Sequence, residues 1–182
     1  MGALALVLGA LVAACTADED HAARADSDDP RVVPPTQSEQ AIVDWLAAGY
    51  YVTPGWTCEP TPHAAFTPSP HGEVRICANP LAEPDPPAEH AVDSAYVIEI
   101  YAGSASVPAG HGVLRHTNEG HDPDSWYWYM HVPADSNTTH DANGLAANGW
   151  GLDGPARDYC GACHRMTGSS GHPGHDYIWL TP

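Results

Sequence analysis

Cys160, Cys163 and His164 are the residues whose types and spacing are best suited to chemistry: two thiols flank Gly161-Ala162, and an imidazole follows directly. Positions i, i+3 and i+4 share one face of a helix, so on a helical turn all three side chains project to the same side. Two thiols so placed can add across the vinyl groups of a porphyrin, and the adjoining imidazole can then ligate its iron. C-x-x-C-H is the spacing of covalent haem attachment. The flanking residues suit a helix, with Asp153 as a cap, Pro155 at the first helical position and Gly168 as a stop. The motif predicts one covalent haem c, held through Cys160 and Cys163, with His164 as the proximal iron ligand.

Other uses of two nearby cysteines fit less well. A structural zinc site needs four ligands, usually in paired spacing, and the chain has no second C-x-x-C. A thioredoxin-like redox pair needs most of its sheet after the motif, and too little chain follows His164. A structural disulfide within the motif conflicts with how the remaining cysteines divide. Cys15 ends an N-terminal apolar run, and Cys58 and Cys77 are left as a pair that an oxidising compartment would let close.

The formal net charge is −17, from 6 basic and 23 acidic residues. Such a balance repels nucleic acid and anionic lipid surfaces. Every basic residue is arginine; lysine is absent. With 43% hydrophobic residues, 18 Pro and 17 Gly, the chain has enough apolar material for a core built from short elements and many turns.

Residues 2–14 are apolar and too few to span a bilayer, which takes about 20 residues; they suit a secretory signal. Val12-Ala13-Ala14-Cys15 resembles a bacterial lipoprotein box, which implies a lipidated Cys15 as mature N-terminus and a periplasmic or cell-envelope location. The run departs from that pattern in having no preceding Lys or Arg, and an ordinary cleaved signal is the alternative. Residues 15–37 are acidic and proline-containing, and read as a disordered tether. The expected layout is a signal at 1–14, a lipid-anchored acidic linker at 15–37 and a haem domain at 38–182.

The elements that must position the motif come next. Thr36-Gln37-Ser38-Glu39 reads as a capping box before Ile42, Val43, Trp45 and Leu46 at helical spacing, with Gly49 as a stop. Segments 74–78, 96–101, 112–116, 126–132 and 177–180 are rich in Val, Ile, Tyr and Trp and bounded by turn residues, so they read as strands. The run Trp126-Tyr127-Trp128-Tyr129-Met130 has bulky groups on both faces and wants cover on both, one of which a haem could give. Segment 134–154, rich in Asn, Asp, Gly and Thr, reads as a surface loop. The expected fold class is α+β: a single antiparallel sheet-rich domain with an N-terminal helix and a C-terminal haem-bearing helix.

A methionine-ligated small cytochrome carries its motif near the start, and the four-helix cytochrome c′ has a helical body; neither matches. A β-rich body with a late motif resembles the cytochrome P-460 and cytochrome c′-beta family over roughly residues 40–182. His71-Gly72-Glu73-Val74-Arg75-Ile76-Cys77-Ala78-Asn79 looks like its early strand, and 96–101 with Gly112-Val113-Leu114-Arg115-His116 like its central strands. Asp124-Ser125-Trp126-Tyr127-Trp128 resembles its strand entry, and the motif followed by Asp176-Tyr177-Ile178-Trp179-Leu180 its closing segment. Members that oxidise hydroxylamine cross-link a lysine to the porphyrin. Here Ile98 and His116 stand near those places, and no lysine exists to form the link. Tyr96, Tyr101, Tyr127 and Tyr129 lie on the same strands and leave a tyrosine link conceivable.

The resemblance implies a mono-haem c-type cytochrome that transfers electrons or binds small nitrogen species such as nitric oxide, with a redox partner protein and a homodimer as further expectations. The alternative is an oxidoreductase acting on hydroxylamine or nitric oxide. A second alternative is a histidine-rich metal binder without haem, given 12 histidines. Candidate groups around the haem's distal face are Met130, His116, His111, His131, Tyr96, Trp126 and Trp128, among which spacing does not choose.

Overall fold

Segments dense in β-branched and aromatic residues pair into one antiparallel sheet, and a short helix closes one side of it. The computed structural model describes residues 29–65, 69, 71–82, 90–103, 106–120, 123–151, 153–155, 157–158 and 164. Two short strands, β1 (Thr57–Cys58) and β2 (His63–Ala64), both pair with β3 (Glu73–Ala78). β4 (Ala95–Tyr101), β5 (Gly110–His116), β6 (Trp126–His131) and β7 (Leu145–Trp150) follow in spatial order. Each strand from β3 to β7 is hydrogen-bonded to the next in sequence.

Four of the expected strands correspond to β3 through β6. β7 does not: it lies within the segment read as a surface loop. Leu145-Ala146-Ala147-Asn148-Gly149-Trp150 is poor in residues that favour strands, but pairing with β6 supplies what propensity lacks. Ala146 and Ala147 are buried, and the Tyr127 hydroxyl donates to Asn148 Oδ1 at 2.5 Å.

α1 (Glu39–Ala47) starts at Ser38, two residues later than the capping box placed it. The Ser38 hydroxyl accepts from the Ala41 amide at 3.2 Å, satisfying one of the helix's free donors. Gly49, in the left-handed region at φ 68°, follows the helix, as its position in the sequence suggested. Ile42 and Trp45 face the sheet and are buried.

Residues 29–37 pack on the body instead of belonging to the tether. Their backbone carbonyls act as acceptors: Pro30 for Trp45 Nε1, Arg31 for Trp56 Nε1, Val32 for Asn79 Nδ2 and Pro34 for Arg115 Nη1. Composition shows charge and proline but not how carbonyls are used, so the boundary of the body lies earlier in the chain. The signal segment, Cys15, residues 16–28, strand 177–180 and most of the expected haem helix lie outside the described residues. Arg157, Asp158 and His164 have helical backbone. Among the described residues, no helix is long and apolar enough to cross a membrane.

Alternation along the strands sends side chains to two faces. On the helix face Ile42, Trp45 and Tyr51 pack on Cys77, Val97, Val113, Tyr127 and Tyr129. The Cys58–Cys77 disulfide forms there, across the directly paired positions of β1 and β3. On the other face Tyr96, Ile100, Leu114, Trp126, Trp128 and Met130 form a second core, with Ile76 and Ile98 beside it.

Candidate functional site

The second face carries the candidate site. Strand register aligns Ile98, Gly112, Met130 and Ala147 in one row across β4 to β7, and Tyr96, Leu114 and Trp128 in the row beside it. Glycine at 112 keeps the first row open between its large neighbours: a Cβ there would meet Met130 Cε at 3.4 Å and Ile98 Cβ at 3.5 Å. The result is an apolar wall. His164 lies against it, its ring edge-on to Trp128 with centroids 4.9 Å apart and planes at 71°.

A second imidazole reaches the same place from a distant part of the sequence. His71 stands two residues before β3, ahead of Gly72 at φ 74°. His71 and His164 line one cavity together with Ile98, Leu114, Trp128 and Met130. The Nδ1 of His71 is out of solvent and has no hydrogen-bond partner in the protein. Burial pushes its imidazole pKa down to about 4, with His164 nearby acting in the same direction. The ring is therefore neutral at ordinary pH, the form that binds metals.

The sequence-level candidates separate by face. Trp128 and Met130 line the cavity with His164. Tyr96, Trp126 and His116 share the face but form a neighbouring cluster: the Tyr96 hydroxyl meets His90 Nδ1 at 3.1 Å, and the Trp126 ring lies 4.8 Å from His116 and 5.3 Å from His90. His111 and His131 belong to the helix face. His111 Nε2 is 3.4 Å from the Tyr51 hydroxyl, and His131 Nε2 is 2.7 Å from the Asn143 carbonyl. Strand parity thus removes those two from the group around His164. Tyr101, Tyr127 and Tyr129 pack on the helix face, although Tyr129 also borders the cavity of His164, and Tyr96 lies on the same face as His164 without lining that cavity. Cys160 and Cys163 lie outside the described residues.

His71 is the residue that sequence reasoning missed as a site group. It had a place only at the start of a family-like strand and among many scattered histidines. Its one local signal is the following glycine; partnership with His164 exists only once the sheet is folded.

Whether these residues suit a haem can be judged from donor chemistry and room. The donors suit it: one imidazole from the attachment motif, a neutral second one with an unused nitrogen, and a wall free of charged groups. The cavity is about 20 Å³, room for about one water molecule. As these residues stand, the donors suit a haem but the cavity does not admit a macrocycle. Among the described residues, no three His, Cys, Asp or Glu side chains cluster as a metal site, so nothing there supports the histidine-rich metal binder.

On the helix face a separate polar network is buried. Arg75 donates to both oxygens of Glu99, at 2.6 and 3.0 Å, and the hydroxyls of Tyr101 and Tyr51 donate to the same carboxylate at 2.6 and 2.9 Å. Burial pushes the Glu99 pKa up, but the hydrogen bonds from Arg75, Tyr101 and Tyr51 outweigh it and hold it below the usual value. Compared with known proteins, the chain matches no protein-family model, no curated protein and no solved structure.

Proposed function

We propose that the chain is an exported, lipid-anchored c-type cytochrome, attached to one haem through Cys160 and Cys163 on a C-terminal helix, with His164 as proximal ligand. The observation that carries this reading is the C-x-x-C-H spacing of Cys160, Cys163 and His164, with His164 lying on the apolar face of the sheet. The haem supplies an iron that cycles between two oxidation states and can bind small nitrogen species. The chain's residues bind and shield it. Ile98, Leu114, Trp128 and Met130 keep water from one side, which favours the less charged redox state, and His164 sets ligand strength. The family resemblance and the lipoprotein-like Cys15 support the same reading.

The hydroxylamine-oxidising alternative gains no particular support. No lysine is available for a porphyrin link, and the hydroxyl of Tyr96 is already engaged with His90. The test is the absorption spectrum of the periplasmically matured protein, followed by denaturation in alkaline pyridine. A c-type haemochrome that stays with the polypeptide is expected, and is lost in Cys160→Ser/Cys163→Ser. Absence of the haemochrome from the unmodified chain refutes the reading.

A further inference from the structure

We propose that the helix face carries a separate binding site for a small organic cation, an ammonium group borne on an apolar chain or ring. The site does not depend on the haem assignment, so the two fail or stand separately.

A cleft of about 450 Å³ lies between α1 and the chain entering β5. Clefts that hold small molecules run from about 300 to 1,000 Å³. One wall is Val43, Leu46 and Ala47, which helical spacing places on a single side of α1. The other is Val107, Pro108 and Ala109, just ahead of β5. Val43 and Val107 are exposed, so the rim is apolar too.

Between these walls the polar groups are acceptors. His111 and His131 are directly paired across β5 and β6, and both line the cleft. A neutral imidazole has one donor nitrogen and one acceptor. Tyr51 gives its one hydroxyl proton to Glu99 at 2.9 Å, so its oxygen accepts from His111 Nε2 at 3.4 Å. His131 Nε2 lies 2.7 Å from the Asn143 carbonyl and donates to it. Each ring thereby keeps Nδ1 as its acceptor, and neither Nδ1 has a hydrogen-bond partner among the described residues. Burial lowers the His111 pKa below its ordinary 6.5, which keeps that acceptor available at neutral pH.

The charges nearby have one sign. Glu99 lines the cleft, and among the described residues no arginine does. The Glu39 carboxylate acts on Tyr129, another lining residue, and the whole chain carries −17. An anion is repelled here, and a ligand that only accepts leaves both Nδ1 atoms unmatched. An ammonium answers both: its N–H groups donate, its charge suits the field, and its apolar body meets the valines. Among the described residues no third metal ligand joins the two imidazoles, so a hydrogen-bonded cation suits them better than a coordinated metal.

The test is titration calorimetry of the full-length protein at physiological ionic strength with three probes of one shape: phenethylammonium, phenethyl alcohol and hydrocinnamate. Phenethylammonium is expected to bind at one site per chain and hydrocinnamate not at all. The alcohol should bind at least about tenfold more weakly than the ammonium, since charge-assisted hydrogen bonds are about twice as strong as neutral ones. His111→Leu should weaken ammonium binding by about tenfold. Ala47→Trp and Ala109→Trp each fill the cleft from an exposed position, and should abolish binding while leaving the circular dichroism unchanged. Three results overturn the proposal: no binding of phenethylammonium to the unmodified protein, equal affinity for ammonium and alcohol, or binding that both tryptophan variants leave intact. The last would show an amine held by the acidic surface alone. None of them touches the pyridine haemochrome, on which the haem assignment rests.

Discussion

His164 and Trp128 meet edge to face, their ring centroids 4.9 Å apart. The contact ties His164 to the middle of β6, because Trp128 is 4% exposed, packs beside Trp126 and pairs directly with Leu114 on β5. Truncating it removes packing on both sides. Trp128→Ala is expected to lower stability by about 3–5 kcal/mol, the usual cost of deleting a large buried aromatic. Denaturant titration followed by far-ultraviolet circular dichroism measures the change. A loss below about 1 kcal/mol would show that the wall does not depend on this ring.

The Arg75–Glu99 network predicts behaviour at both ends of the pH scale. The folded-state pKa of Glu99 lies below its ordinary value of 4.5. Its contribution is therefore present above that value and is lost as pH falls through the folded pKa. Tyr101 is shifted the other way, from 10.0 to about 12, by burial and then by the bond to Glu99. That contribution is present below pH 10 and lost as pH rises towards 12. Stability measured against pH should fall below about 4.5 and again between about 10 and 12. Glu99→Gln should flatten the acid limb and itself cost stability. The cost sits near the lower end of the ~3–5 kcal/mol for breaking a buried pair, because Arg75 stays a quarter exposed.

The disulfide joins positions 19 apart in sequence. Closing a loop of that size stabilises the fold by roughly 3 kcal/mol in the chain-entropy model. Cys58→Ser/Cys77→Ser should lower the denaturation free energy by about that amount. The haemochrome should be untouched, since β1 and β3 place this bond on the helix face. A double variant that loses its haem would contradict the separation of the two faces.

Gly154 offers a more local test of how the chain approaches the motif. At φ 124° its position is one that L side chains rarely adopt, and a Cβ there would lie 2.8 Å from Ala147 Cα. Neither backbone can yield cheaply. Gly154→Ala should cost about 1–3 kcal/mol, visible as a lower thermal midpoint, and should alter the haem spectrum because Ala147 borders the cavity.

Much of this arrangement is legible in the residues. Val97, Val113, Tyr127 and Tyr129 alternate with Tyr96, Ile98, Leu114 and Trp128, and that alternation gives strands with two covered faces. Cys58 and Cys77 were paired by counting. Three things were hidden for physical reasons. β7 is held by pairing with β6, not by its own Ala, Asn and Gly. The start of α1 depends on which of two nearby hydroxyls caps it: Ser38 accepts the Ala41 amide, where a Thr36 cap would have taken that of Glu39. His71 comes to the cavity of His164 only once the sheet is folded, which periodicity does not report; strand parity sends His111 and His131 to the opposite face.

The strand order has a kinetic consequence. Because every pairing from β3 to β7 joins neighbours in sequence, the sheet can assemble hairpin by hairpin, without waiting for distant segments to find each other. All the side chains of the apolar wall come from residues 96–147, ahead of Cys160. The surface that receives His164 can thus be complete before His164 reaches it, so docking of that residue should be a late and separable step.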